Sequence, residues 1–233
     1  MQGGRSPYEK ETALTKINVE KKIQSDNERT AAGIRQVFAD ADVFVLNIIS
    51  SPGSGKTTLL EATLDRLASE FNILVIEGDV TTERDMDRVR AHGAGGIQIN
   101  TGGGCHLSAN MVAEVLGGLD LKSADLVFIE NVGNLICPAT YDLGEDVRMV
   151  LLSTTEGDDK PMKYPAIFHE SQMAVVNKID LLPYLPYDIE RAEKEVRVLN
   201  PQCEIMRVSA LKGDGMDEWC DWLRGKLAAK RAG

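Results

Sequence analysis

Two hydrophobic periods alternate along most of the chain. Val43-Phe-Val-Leu-Asn-Ile-Ile49 is a nearly unbroken apolar, β-branched run, which predicts a strand buried on both faces. Immediately downstream, Leu59, Leu60, Thr63, Leu64, Leu67 and Ala68 recur at helical spacing. The same switch repeats, predicting strands at 43–49, 73–77, 97–99, 125–130, 147–153, 173–177 and 204–208. Helices are predicted between and after them, at 57–69, 82–92, 107–118, 189–199 and 216–230. Strands alternating with helices predict an α/β fold: a mostly parallel sheet of about seven strands with helices on both faces. Residues 1–8 read as disordered. From Glu9 to Phe38 the pattern is helical but mostly polar, with Leu14, Ile17, Ile23, Ile34, Val37 and Phe38 as sparse apolar positions. Asp26-Asn-Glu-Arg-Thr30 interrupts that stripe. The expected organisation is a helical N-terminal arm over 1–38, lying on the main domain or on a partner, and one domain over 39–233.

The first strand breaks into Ser50-Ser-Pro-Gly-Ser-Gly-Lys-Thr57. Strand, glycine-rich loop, Lys-Thr and helix form the phosphate-binding P-loop arrangement of P-loop NTPases. Gly53 and Gly55 let the backbone curl so that its N–H groups, including that of Ser54, point inward at phosphate. The positive end of the following helix, at Thr57 and Thr58, adds to that field. Lys56 can reach the terminal phosphates, where it is the expected catalytic cation, and the Thr57 hydroxyl can ligate Mg²⁺. Ser50 stands where the first glycine of the pattern is usual.

Open α/β sheets bind ligands at the carboxyl ends of their strands. Asp79 follows the second predicted strand and Glu130 ends the fourth. Both are expected Mg²⁺ ligands with Thr57, directly or through water, and Asp79 could instead orient an attacking water. Gly133 is placed to bring a backbone N–H to the terminal phosphate. Asn177-Lys-Ile-Asp180 matches the N-K-x-D guanine reader of P-loop GTPases. Asp180 can accept from the N1–H and 2-amino group of guanine, donors that adenine lacks. Lys178 can cover the base and Asn177 can tie this loop to the P-loop. Ser209-Ala210-Leu211 matches the last such element, where backbone groups meet guanine O6. These motifs, in this order, predict GTP and GDP as ligands. Asn134, rather than Gln, follows Gly133, so slow intrinsic turnover, below ~1 per minute, is expected.

Charge and cysteine usage narrow the setting. Acidic residues outnumber basic ones by 36 to 26, which disfavours non-specific nucleic-acid binding. No apolar run approaches the ~20 residues of a membrane span, and Met1 to Pro7 holds no signal-peptide core, so a cytoplasmic protein without membrane contact is expected. Four cysteines in 233 residues do not make a disulfide framework. Cys203 and Cys220 read as core residues, His92 as exposed at a helix end, and His169 as having no ligand neighbour. Cys105-His106 differs, because it follows Gly102-Gly-Gly104. Adjacent residues on a regular strand face opposite ways, and a bent glycine segment can turn both to one ion. Read singly, Cys105 could be a packed small residue, His106 a helix-start donor and Cys137 a core residue; with Cys137 as the third candidate donor, two thiolates and an imidazole suit Ni²⁺ or Zn²⁺. Three ligands leave the sphere for solvent or a partner chain to complete.

Several segments together resemble the HypB family of hydrogenase nickel-incorporation GTPases. They are Ser50 to Thr58, Glu77-Gly-Asp79, Thr101 to Leu107, Glu130-Asn-Val-Gly-Asn-Leu-Ile-Cys-Pro138 and Glu156-Gly-Asp-Asp-Lys-Pro-Met-Lys-Tyr-Pro165. The resemblance implies a GTPase that helps load nickel into [NiFe] hydrogenase. It also implies a nucleotide- or metal-dependent homodimer with Cys105, His106 and Cys137 binding Ni²⁺ or Zn²⁺ at its interface. A HypA-type nickel accessory protein and the hydrogenase large subunit are the implied partners. Some relatives carry an N-terminal cysteine or histidine-rich nickel store; no cysteine precedes Cys105 and no histidine precedes His92, so none is expected here. Lys160 and Lys163 are expected in a charged loop, as solvated side chains or as phosphate or partner contacts. Three alternatives remain: a urease-accessory-like nickel GTPase, disfavoured because Cys and His are adjacent; a regulatory GTPase switch with structural cysteines; and a small-molecule kinase, against which N-K-x-D argues.

Overall fold

The computed structural model describes residues 7–79 and 84–232; of the side chains before Gln24 only Lys22 is described, and those of Asp79 and residues 84–86 are outside it. All seven expected strands form: β1 Phe44–Ser50, β2 Ile73–Asp79, β3 Gly95–Asn100, β4 Leu126–Glu130, β5 Val147–Ser153, β6 Met173–Asn177 and β7 Glu204–Arg207. They make one parallel sheet in the order β3-β2-β4-β1-β5-β6-β7. The principal helices are α1 Pro7–Asp40, α2 Lys56–Leu67, α3 Arg84–Ala91 and α4 Ala109–Leu116. Two short helices, α5 Lys160–Lys163 and α6 Pro165–Glu170, precede α7 Ile189–Leu199 and α8 Met216–Ala232.

Alternate residues of each central strand serve opposite faces, as the pleat requires. Phe44, Leu46 and Ile48 join Leu126, Phe128, Met149 and Leu151 beneath α2 and α8. Trp219 is wholly buried there and donates through Nε1 to Thr63 Oγ1 at 2.9 Å. The other face carries two cores. Val45, Ile76, Val127 and Ile129 pack with α1 and α4, while Ile49, Val150, Leu152 and Val176 pack with α6 and α7.

The arm is a continuous helix through residues 26–30. Its second half is bound to the sheet domain: Ala31, Ile34 and Phe38 enter the α4 core. The break in the apolar stripe is where polar contacts take over. Asn27 donates to Asp142 O at 2.8 Å and accepts from Ala109 N at 2.8 Å, capping a contact with α4. Arg35 pairs with Asp142 at 2.7 Å. The helix starts at Pro7, within the stretch expected to be disordered; residues 1–6 lie outside the described residues. Two other expectations are corrected. Lys160 and Lys163 belong to α5 rather than to a loop, because Pro161 can occupy a first helical turn, where its missing N–H leaves no bond unmade. His92 is half-buried, its Nδ1 2.5 Å from Asp65 Oδ1, because α3 packs against α2.

A nucleotide cleft joined to a thiol–imidazole cluster

The loop between β1 and α2 opens into a cleft of about 350 Å³ lined by Gly53, Gly55, Lys56, Thr57, Thr58, Arg88, Glu130 and Lys178. Gly53 and Gly55 have φ of 77° and 97°, the left-handed region that glycine adopts without a Cβ penalty. Ser50, at the position of the usual glycine, is fully buried. Its hydroxyl donates to Ser51 O at 2.7 Å and accepts from Lys56 Nζ at 3.1 Å, so it holds the lysine over the loop. Thr57 Oγ1 donates to Glu130 Oε1 at 3.0 Å. A hydroxyl and a carboxylate side by side at a phosphate loop are the hard-oxygen donor set that fits Mg²⁺. Asp79 ends β2, two residues past Glu77, the register partner of Glu130, and its side chain lies outside the described residues.

The N-K-x-D segment reaches the P-loop as the sequence predicts. Asn177 Nδ2 donates to Ser54 O at 3.0 Å, and Lys178 Nζ donates to Gly53 O at 2.7 Å. Asn177 Oδ1 accepts from Lys178 N at 2.8 Å and from Ala210 N at 3.1 Å, joining the 209–211 segment to the same hub. Asp180 Oδ1 accepts from Ser209 Oγ at 2.6 Å. Leu211 is 75% exposed and makes the outer rim. Gly133 lies against the P-loop: a Cβ there would stand 3.1 Å from Pro52.

Sequence reasoning missed a strap across this loop. Glu156 accepts a short hydrogen bond from Ser54 Oγ, and Lys160 Nζ lies 3.2 Å from both Glu156 Oε2 and Ser51 Oγ. Lys160 is therefore a loop-binding cation rather than a solvated one; Lys163 is exposed and pairs with Asp159 at 2.7 Å. The acidic and basic letters of residues 156–160 carry no signal of this in isolation, because the contacts span about a hundred residues.

On the far side of Gly133 lies the thiol–imidazole cluster. The ligand atoms of Cys105, His106 and Cys137 lie within 4.8 Å of one another. Gly102 and Gly103, with φ of 59° and 92°, make the bend that turns both neighbours the same way after β3. Cys105 Sγ is 3.5 Å from His106 Nδ1. Cys137 opens a 3₁₀ turn, Cys137–Thr140. Its hydrogen bond with Cys105 raises the Cys105 thiol above its ordinary value, with burial adding to the effect, while burial lowers the His106 imidazolium. A neutral imidazole beside two thiols is a donor set that a soft or borderline divalent ion would take up by displacing the thiol protons. Tyr141, also missed in the sequence, tilts over the His106 ring at 3.9 Å between centroids. Asn134, one residue past Gly133, donates to Cys105 O at 3.3 Å and so ties the segment after Gly133 to the loop that carries Cys105. Cys203 and Cys220 are buried in the cores, and His169 is exposed with Glu170 beside it.

The nucleotide-binding-domain profile of the CobW/HypB/UreG family matches residues 44–207. The hydrogenase maturation factor HypB of Azotobacter vinelandii is 49% identical over 207 residues, covering 89% of this chain and 68% of that protein. HypB of Escherichia coli K12 is 48% identical over 213 residues, covering 91% and 73%. The crystal structure of Helicobacter pylori HypB in complex with nickel superposes with a TM-score of 0.84 at 36% identity, over 88% of this chain and 96% of that one. Among the described residues, no helix is long and apolar enough to cross a membrane. The chain belongs to the HypB family of hydrogenase maturation factors, within the CobW/HypB/UreG group of P-loop GTPases.

Proposed function

We propose that this protein binds and hydrolyses GTP to time the capture and release of nickel during [NiFe] hydrogenase maturation. The observation that carries the reading is the thiol–imidazole cluster, Cys105, His106 and Cys137, joined to the Gly133 segment through Asn134. Lys56 and the backbone of Gly53 to Thr58 hold the phosphates, and Asp180 reads guanine, with Asn177, Lys178, Ser209, Ala210 and Leu211 shaping the base site. Thr57 and Glu130, with Asp79, hold Mg²⁺, which neutralises phosphoryl charge when bound. Cys105, His106 and Cys137 hold Ni²⁺, or Zn²⁺ in its place, and a second copy of the chain or solvent fills the remaining positions.

Gly133 lies between Glu130 and Cys137, so a nucleotide that moves Gly133 moves a metal ligand. Linkage makes the coupling reciprocal: metal alters nucleotide affinity by the same factor. A HypA-type nickel accessory protein, a second copy of the chain and the hydrogenase large subunit are the proposed partners, in the cytoplasm. Residues 39–233 act as the GTPase domain and 1–38 as its arm. The test is nickel titration of nucleotide-free, GDP-bound and GTP-analogue-bound protein with oligomeric state followed in parallel. Different nickel affinities between the GDP and analogue forms at one oligomeric state support the reading; equal affinities refute it.

A further inference from the structure

Two inward positions of the central strands are polar where their neighbours are aliphatic. Asn47 of β1 and Arg148 of β5 are register partners. Both lie on the face divided between the α1–α4 and α6–α7 cores, and they fill the seam. Asn47, Asn131, Glu145 and Arg148 are 0%, 1%, 7% and 8% exposed. Arg148 Nε donates to Glu145 Oε1 at 2.9 Å, and Glu145 Oε1 also accepts from Asn47 Nδ2 at 3.2 Å. Asn131 Nδ2 donates to Asn47 Oδ1 at 3.4 Å. A buried ion pair is weak evidence of stabilisation, since apolar side chains of similar volume usually fold as well or better. Where this network ends is the informative feature. Arg148 donates to Ala139 O at 2.9 Å and Tyr141 O at 3.1 Å, on the turn that carries Cys137 and on the residue tilted over His106. At the other end, Asn131 Oδ1 accepts from Leu107 N at 3.1 Å, the residue after His106.

We propose that Arg148 is a positioning residue for the Cys105–His106–Cys137 cluster, acting with Glu145 and Asn131. Without touching an ion, the network fixes the two backbone segments that bring the thiols and imidazole together. The proposal rests on the reading of that cluster as a nickel site, and its test separates the two. Arg148→Met alone would leave Glu145 charged and buried, so the informative variant is Arg148→Met with Glu145→Gln; Arg148→Lys keeps the charge and loses the planar fork.

Each protein is titrated with Ni²⁺ while sulfur-to-nickel charge-transfer absorption is followed, with melting temperature and GDP affinity as controls. The double variant is expected to bind Ni²⁺ about 10–100-fold more weakly with a diminished band, the usual loss when the support of a metal ligand is removed. Its GDP affinity should stay within about threefold, and Arg148→Lys should recover part of the loss. A metal-free readout runs beside it: the rate at which diamide, taking two electrons and two protons, joins Cys105 to Cys137. That rate should fall in the double variant whether or not nickel binds. Equal nickel binding by wild type and Cys105→Ala would defeat the metal reading alone. An unchanged disulfide rate, or unchanged nickel affinity and spectrum in a folded double variant, would overturn the positioning role.

Discussion

Replacing Gly55 with alanine separates two costs that the P-loop combines. The residue sits at φ 97°, so any Cβ meets the left-handed penalty of ~1–2 kcal/mol. A Cβ at Gly55 would also stand 2.7 Å from Asn177 Nδ2, inside contact distance. Asn177 is 1% exposed and cannot retreat to water. Displacing it breaks its bond to Ser54 O and strains those from Lys178 N and Ala210 N, and a buried amide left unpaired costs about 1–3 kcal/mol. The expected total is about 2–5 kcal/mol. Gly53→Ala is the matched control: its φ is 77°, but nothing lies within 4 Å of the added Cβ, so only the first cost applies. Urea denaturation of nucleotide-free protein measures the difference, expected at about 1–3 kcal/mol in favour of Gly53→Ala. Melting should follow the same order, at about 2–4 °C per kcal/mol for a chain of this size. Equal stabilities for the two variants would show that Asn177 does not brace the P-loop, and the proposed link between base site and phosphate site would fall with it.

Other expectations follow from single contacts. Thr63→Val removes the acceptor of the buried Trp219 N–H and should cost about 1–3 kcal/mol by chemical denaturation, whereas a loss below ~0.3 would contradict the buried bond. Asp180→Ala should weaken GDP binding by about 10²-fold or more while leaving ADP binding unchanged, because two charge-assisted bonds to guanine are lost; calorimetry with both nucleotides decides it. Nickel affinity should rise with pH. The raised Cys105 thiol still carries its proton at neutral pH, and an ion must displace it. Each thiol proton released per ion gives about tenfold tighter binding per pH unit between about pH 6.5 and 8.5; a flat profile would mean that Cys105 is no ligand. His106 works in the same direction only at the acid end, since burial lowers it and keeps it neutral at pH 7.

The sequence alone determined the strand–helix alternation, the seven strands, the P-loop and the N-K-x-D segment, because each is written in residues close together in the chain. A period switch from apolar strand to amphipathic helix is local physics, and so is the need for glycine at φ above zero in a phosphate loop. The pairing of Cys105-His106 with Cys137 was legible only through chemical type; their approach to within 4.8 Å is a property of the fold. Tertiary structure alone decided the rest. Lys160 binds the P-loop because α5 follows β5, which lies beside β1 in the sheet. Asn27 turns from an interruption into an anchor because α4 and the loop at Asp142 meet it. Asn47 and Arg148 look like flaws in apolar strands until the register pairs them across the seam between two cores. Contacts of this kind join residues about a hundred positions apart. Their energy comes from burial and from satisfied polar groups, conditions that exist only once the sheet has assembled.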